Sequence, residues 1–229
     1  MTIFAVCAAY KERTCFVPEK QDRFSRMKGK MKKLICISQK EACAEDFFVR
    51  TEKILKQNVF AFILREKSLS AGEYEELALK LLPVAKKYSS PFFLNGHYDL
   101  ACGLGLGIQL SFQAYRELRE SPVPVGISVH SAEEAEHIVR HPKGISVSHI
   151  LAGHVFPTDC KKGLAPRGLE FLSSVCKAVD KKIPVFGLGG VSPDNMPALY
   201  GVGAYGGAIM SSCMKSPDIE ELFKKFAAV

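Results

Sequence analysis

Short apolar runs alternate with amphipathic stretches along most of the chain. Eight runs rich in β-branched and aromatic residues are predicted to be strands, at 34–38, 59–64, 91–95, 106–110, 124–129, 144–152, 184–189 and 204–210. The stretches with apolar positions at helical spacing predict helices at 71–88, 131–141, 167–179, 192–203 and 216–229. Strands that alternate with helices indicate a parallel sheet, open or closed. Eight strands is the number of a single (β/α)8 TIM barrel, and we predict that fold.

The first 32 residues do not follow this alternation, because they are basic, turn-prone and weakly periodic. Met31 lies directly before KLICIS, the first predicted strand. We therefore expect a basic N-terminal extension without stable structure at residues 1–30, or a start assigned too early. The TIM-barrel catalytic domain is expected to occupy residues 31–229.

Composition excludes several classes of protein. The 229 residues are 47% hydrophobic and 24% charged, and no apolar run reaches the roughly 18 residues that span a membrane. The N-terminus does not resemble a signal peptide, so we expect a cytoplasmic protein with no membrane partner. The net charge of +7 arises largely near the N-terminus, but no aromatic-interleaved basic motif accompanies it, and we expect no nucleic-acid partner. The eight cysteines form no CxxC pair, which favours reduced thiols.

Chemistry in a TIM barrel takes place at the C-terminal ends of the strands. The polar residues expected there include Arg65, Lys67, Asn95, Gln109, Ser128, His130, His154, Thr158 and Lys161. Histidine is the side chain best suited to proton transfer near neutral pH, so His130 is a candidate acid or base. The pattern alone leaves open that His130 only packs against its loop. We expect His149, which alternates with apolar residues, to be structural.

The ends of the last two strands suggest a phosphate site. GLGGVSPDN places glycines between a strand and a helix N-terminus, where bare N–H groups can approach an anion, and IMSS follows the last strand. We expect phosphate to bind at Gly189, Gly190, Met210 and Ser211, although ordinary turn glycines would give the same pattern. Carboxylates are scarce at this rim, and it has no DD or DxD pair of the kind that holds Mg²⁺ on a diphosphate.

The motifs LREKSLS, NGHYDLA, SVHSAEEA, GHVFPTDCKKG, GLGGVSPDN and IMSS resemble those of the thiamine phosphate synthase/TenI superfamily, from about residue 33 to the C-terminus. The synthases of this superfamily join an aminopyrimidine diphosphate to a thiazole phosphate with Mg²⁺. The TenI-type enzymes convert a carboxythiazole phosphate to its aromatic tautomer without a metal.

Three positions distinguish the two branches. Synthases carry a pyrimidine-binding glutamine where this chain has Ile63, and Mg²⁺-binding aspartates where it has Gly96 and Ala114. The segments NGHYDLA, QLS, SVHS and GHVFPTDCKKGL are similar to the TenI branch.

The resemblance therefore implies a thiazole tautomerase, in which His130 is the catalytic acid or base. It also implies that the substrate is bound by Arg65, Lys67, Asn95, Ser128, Thr158 and Lys161. We expect a small phosphorylated thiazole as the substrate, no cofactor and a homodimer. Two alternatives remain: a thiamine phosphate synthase, which would require Mg²⁺, and a non-catalytic protein that binds a thiamine intermediate.

Overall fold

Eight parallel strands close into a barrel in the computed structural model, which describes residues 33–161 and 163–229. Each strand pairs with the next along the chain, and the first pairs with the last. The strands are β1 (Leu34–Ile37), β2 (Ala61–Leu64), β3 (Phe92–Asn95), β4 (Gly107–Ser111), β5 (Val125–Val129), β6 (Val147–Gly153), β7 (Val185–Leu188) and β8 (Gly206–Ile209). The prediction of a single TIM barrel is confirmed. The predicted extension at residues 1–30 lies outside the described residues.

Helices follow the strands and cover the outside of the barrel. They are α1 (Phe47–Lys56), α2 (Ala71–Lys87), α3 (Tyr98–Leu104), α4 (Phe112–Glu117), α5 (Ala132–Arg140), α6 (Gly168–Val179), α7 (Met196–Gly201), α8 (Ser211–Lys215) and α9 (Ile219–Ala227). Side-chain caps set several starts: Ser70 and Glu73 form a capping box at α2, and Ser131 accepts the Glu134 N–H at α5. Within the described ranges, no helix is both long and apolar enough to cross a membrane.

Two predicted helices begin later than expected. The helix predicted from residue 192 begins instead with a 3-10 turn, Pro193–Asn195, because Ser192 and Asn195 close a capping box around that turn. The α-helix α7 starts only at Met196. The last helix starts at Ile219 rather than at 216, because Asp218 is the residue whose side chain accepts the N–H of Glu221.

Alternation along each strand separates two hydrophobic layers. One lies between the strands and the helices. The other fills the barrel interior with Ile35, Ile37, Phe60, Ala61, Ile63, Phe93, Leu151, Phe186 and Ala208. Arg65 follows Ile63 by two residues and Asn95 follows Phe93 by two, so both continue the inward-facing series at the strand ends. The C-terminal mouth of the barrel is therefore where the predicted polar residues converge.

Candidate active site

His130 lies one residue beyond β5 and is exposed to solvent at the mouth. Its Nδ1 atom is 3.1 Å from the carbonyl oxygen of Gly153, at the end of the adjacent strand β6. A carbonyl oxygen can only accept, so Nδ1 carries the hydrogen and Nε2 has the lone pair of the neutral ring. The backbone N–H of His130 donates to Glu134 Oε2 at 2.6 Å. The bond to Gly153 orients the imidazole with Nε2 available, and the bond to Glu134 fixes the backbone at this position.

Arg65 connects the ends of β2 and β8. Its side chain is half-buried, and Nη1 lies 3.9 Å from Met210 Sδ. Its backbone N–H donates to Ser38 Oγ at 2.8 Å, which fixes the start of this loop. The guanidinium is therefore adjacent to the β8 end, where phosphate is expected, while Lys67 is exposed two residues farther on.

Asn95 is the last residue of β3 and is held from outside the barrel. Its N–H donates to the Tyr74 hydroxyl at 3.1 Å, and that hydroxyl donates to the Leu64 carbonyl at 2.6 Å. The His97 ring stacks on Tyr74 with centroids 3.7 Å apart. The sequence did not single out Tyr74, because its position in a helix gives no sign of contact with a strand end.

A cluster of hydrogen-bonded polar side chains lies inside the barrel below the mouth. Gln109 Nε2 donates to Ser128 Oγ at 3.0 Å, and Gln109 Oε1 lies 2.8 Å from His149 Nε2. His149 is fully buried, and burial lowers its pKa to about 3. The structure thus places Ser128, predicted to bind substrate, at the upper end of a hydrogen-bonded series that reaches into the barrel.

The loop after β6 lines a cleft with a volume of about 410 Å³. Its lining comprises Pro157, Thr158, Asp159, Lys161, Gly163 and Leu164, so Thr158 and Lys161 share one surface. His154, at the start of the loop, is buried, with Nε2 3.4 Å from the Leu164 carbonyl oxygen. This bond joins the start of the loop to Leu164 on the far side of the cleft.

Gly189 and Gly190 form a tight contact between the β7 and β6 loops. Their φ angles are +97° and +64°, values that favour glycine. A Cβ on Gly189 would lie 2.4 Å from His154 Cβ, and one on Gly190 would lie 2.4 Å from the Pro157 carbonyl oxygen. Met210 is the N-cap of α8, and Ser211 is its first residue. Phosphate binding at these four residues stays a prediction.

The acidic side chains near the mouth are not gathered into one cluster in the described part of the chain. Glu66 is buried and accepts from Ser38 Oγ at 2.5 Å and from the Lys40 N–H at 2.9 Å, so both of its oxygens are bonded within the protein. Over residues 33–161 and 163–229, no group of three or more His, Cys, Asp or Glu side chains could hold a metal ion.

At the three positions that distinguish the branches, no side chain can hydrogen-bond to a pyrimidine or bind Mg²⁺. Ile63 is 1% exposed in the barrel interior, Gly96 lies in the β3 loop, and Ala114 packs from α4 against the core. The residues present do not fit the Mg²⁺ site that the resemblance implies for synthases.

A family model described as thiamine monophosphate synthase matches residues 34–213. The chain belongs to this family. A thiamine-phosphate synthase from Listeria innocua is 32% identical over 186 residues, covering 76% of this chain and 85% of the relative. One from Fusobacterium nucleatum is 27% identical over 205 residues, covering 85% and 97%. A solved thiamine phosphate pyrophosphorylase from Pyrococcus furiosus superimposes with a TM-score of 0.71 at 27% identity, covering 86% and 94%.

Membership of the superfamily confirms the resemblance drawn from the motifs, and it shows an enzyme family of thiamine biosynthesis. The names of these relatives favour the synthase alternative over the tautomerase interpretation. They do not test the roles assigned to individual residues of this chain, which therefore remain predictions.

Proposed function

We propose that this chain is a thiazole tautomerase, which aromatises a carboxythiazole phosphate by proton transfer. The observation that carries the proposal is the set of groups at the mouth. A histidine oriented by the Gly153 carbonyl is at the same end of the barrel as several half-buried polar side chains, whereas the positions expected to bind pyrimidine and Mg²⁺ carry Ile63, Gly96 and Ala114.

The chemistry needs one group that can remove a proton and return it. Nε2 of His130 takes the proton from C2 of the non-aromatic ring, and the ring electrons shift toward the exocyclic double bond. The imidazolium then gives a proton to the exocyclic carbon, so the product is an isomer of the substrate and the histidine is regenerated. The Gly153 carbonyl stabilises the imidazolium through its bond from Nδ1.

The remaining groups would orient the ring. We expect the N–H groups of Gly189, Gly190 and Ser211 to bind the phosphate, with the Arg65 guanidinium, which lies beside Met210, as a counter-charge. Lys67 and Lys161 are the candidate partners of the substrate carboxylate. Binding at two ends of the substrate would hold the thiazole carbon against His130, and such positioning is a large part of catalysis.

Thiamine phosphate synthase is the second candidate, because relatives up to 32% identical carry that name. This activity would require new Mg²⁺ ligands in place of the two missing carboxylates. Acidic side chains near the mouth include the exposed Asp99 and Asp159, and Glu134, which accepts the His130 N–H.

Two assays on the same preparation distinguish the candidates. In the first, NMR follows conversion of the non-aromatic carboxythiazole phosphate to its aromatic tautomer in EDTA. In the second, aminopyrimidine diphosphate and thiazole phosphate are supplied with Mg²⁺, and pyrophosphate release is measured. We expect turnover in the first assay and none in the second. Turnover only in the second would establish the synthase, and product binding without turnover in either would indicate a regulatory protein.

A further inference from the structure

A row of four hydrogen-bonded side chains runs from β6 to the mouth of the barrel. We call it the interior row. It consists of Ser148, His149, Gln109 and Ser128. Ser148 Oγ lies 3.2 Å from His149 Nδ1, His149 Nε2 lies 2.8 Å from Gln109 Oε1, and Gln109 Nε2 lies 3.0 Å from Ser128 Oγ. Gln109 and His149 are 2% and 0% exposed, whereas Ser128 is half-buried.

The hydrogens in this row all point one way. The amide oxygen of Gln109 can only accept, so His149 Nε2 carries the ring hydrogen and Nδ1 accepts from Ser148. The amide nitrogen of Gln109 can only donate, so Ser128 Oγ is an acceptor toward the interior. The Ser128 hydroxyl hydrogen therefore remains to be donated upward, into the mouth.

The backbone is shaped to admit the row. Gly126 lies on the same face of β5 as Ser128, and a Cβ at Gly126 would lie 2.2 Å from Gln109 Oε1 and 2.5 Å from His149 Nε2. The β5–β6 pairing also shifts register between Val125 and Gly126. Any side chain larger than hydrogen at position 126 would displace the bond between Gln109 and His149.

The surroundings keep the row in one protonation state. The rings of Phe60, Phe93 and Phe186 surround His149, with centroids 5.0 to 6.1 Å away. Water is excluded there, and the low pKa of His149 keeps its ring neutral at physiological pH. A neutral ring has one hydrogen and one acceptor, which is the state that the row requires.

We propose that His149 and Gln109 are positioning residues that hold the Ser128 hydroxyl as a hydrogen-bond donor to an acceptor atom of the bound thiazole. Ser128 is near the end of β5 and His130 follows that strand directly, two positions later, so we expect the donor and the proposed base to face one ligand. The inference rests on the proposed function for the location of the ligand, but it concerns binding and can be tested apart from turnover.

A double-mutant cycle on ligand affinity tests the row. The probe is the aromatic carboxythiazole phosphate, and its Kd is measured by titration calorimetry for wild type, Ser128→Ala, Gln109→Met and the double variant. Loss of one neutral hydrogen bond should raise Kd about 5-fold in each single variant. Because Gln109 acts through Ser128, the double variant should be no weaker than Ser128→Ala alone. The proposal would be overturned if the two single-variant increases in Kd multiplied in the double variant, or if Ser128→Ala left Kd unchanged.

Two variants of His149 separate positioning from packing. His149→Gln keeps a donor near Gln109 Oε1 and should retain wild-type Kd, whereas His149→Leu removes the donor and should bind like Ser128→Ala. Equal Kd for these two variants would contradict the row. Ser174→Ala, a change on the exposed surface of α6, is the matched control. Melting temperatures are recorded for all variants to show that each is folded.

Failure of the row and failure of the tautomerase proposal give different results. If wild type binds the probe but does not turn over the substrate, the tautomerase proposal fails and the cycle still measures the coupling. If turnover is present and the increases in Kd of the two single variants multiply in the double variant, the proposal for the interior row fails and the tautomerase proposal stands. A wild-type protein that does not bind the probe would overturn both.

Discussion

The Nδ1 atom of His130 lies 3.1 Å from the carbonyl oxygen of Gly153, a contact that joins the ends of the neighbouring strands β5 and β6. Gly153 is held closely from its other side, because a Cβ there would lie 2.6 Å from the carbonyl oxygen of Leu188 in β7. The orientation of His130, the proposed catalytic base, therefore depends on how closely β7 packs against β6.

Gly153→Ala should weaken both folding and activity. Either β6 or β7 must shift to admit the methyl group, and overpacking of this kind costs about 1–3 kcal/mol. The shift would displace the acceptor of His130, so kcat should fall along with the melting temperature. Gly72→Ala is the control, since nothing lies within 4 Å of its Cβ and alanine favours the helix. A Gly153→Ala variant with wild-type kcat would show that this bond does not orient His130.

Gly189→Ala should impair binding of the phosphate end of the substrate. The added Cβ would meet His154 Cβ at 2.4 Å, and the φ of +97° disfavours alanine, so the loop must move away from its present position. We expect Kd for the thiazole phosphate to rise about 10-fold or more, the scale of losing a charge-assisted hydrogen bond. Gly201→Ala, with nothing within 4 Å of its Cβ, should bind normally. Unchanged affinity in Gly189→Ala would place the phosphate elsewhere.

His149 should make the protein sensitive to acid. Its pKa is about 3 in the folded protein, whereas an unfolded histidine titrates near 6.5. Between these pH values the unfolded chain holds a proton that the folded one does not, so the free energy of unfolding falls as pH falls, by about 1.4 kcal/mol per pH unit. That corresponds to roughly 2–4 °C less in melting temperature per kcal/mol for a chain of this size.

The measurement is the melting temperature of wild type and His149→Gln from pH 7 to pH 4. The difference between them should change steadily below about pH 6.5, because the glutamine does not titrate, and all other ionisable groups are shared. Parallel curves would mean that His149 titrates normally in the folded protein.

Much of the barrel could be predicted because its strands are short, apolar and separated by clear helix starts. All eight predicted strands overlap observed ones, and Ser131 begins its helix as its pattern indicates. The helices that could not be predicted from the sequence are mostly short ones. α3 has seven residues, and α4 and α8 have six and five, lengths at which two turns of periodicity cannot be recognised. The ten-residue α1 was also missed, although Asp46 provides a side-chain cap.

Only those residues of the candidate site that directly follow a predicted strand could be predicted from the sequence. His130 and Asn95 follow apolar runs, so their place at the mouth follows from the barrel. The partners that orient them could not be predicted, because Gly153 contributes a backbone oxygen and Tyr74 belongs to a helix. The contact between His149 and Gln109 could not be predicted either. The alternation around His149 indicates burial, but only the closed barrel brings it against a residue 40 positions away.

The most direct test of the central proposal is the rate at which the EDTA-treated protein converts the non-aromatic carboxythiazole phosphate to its aromatic tautomer, followed by NMR. His130→Asn is compared with wild type and with His137→Asn, a matched change on the outer helix α5. We expect metal-independent turnover in wild type and His137→Asn, and a rate lower by about 10²- to 10⁴-fold in His130→Asn. No turnover above the uncatalysed rate in wild type, or equal rates in wild type and His130→Asn, would contradict the account.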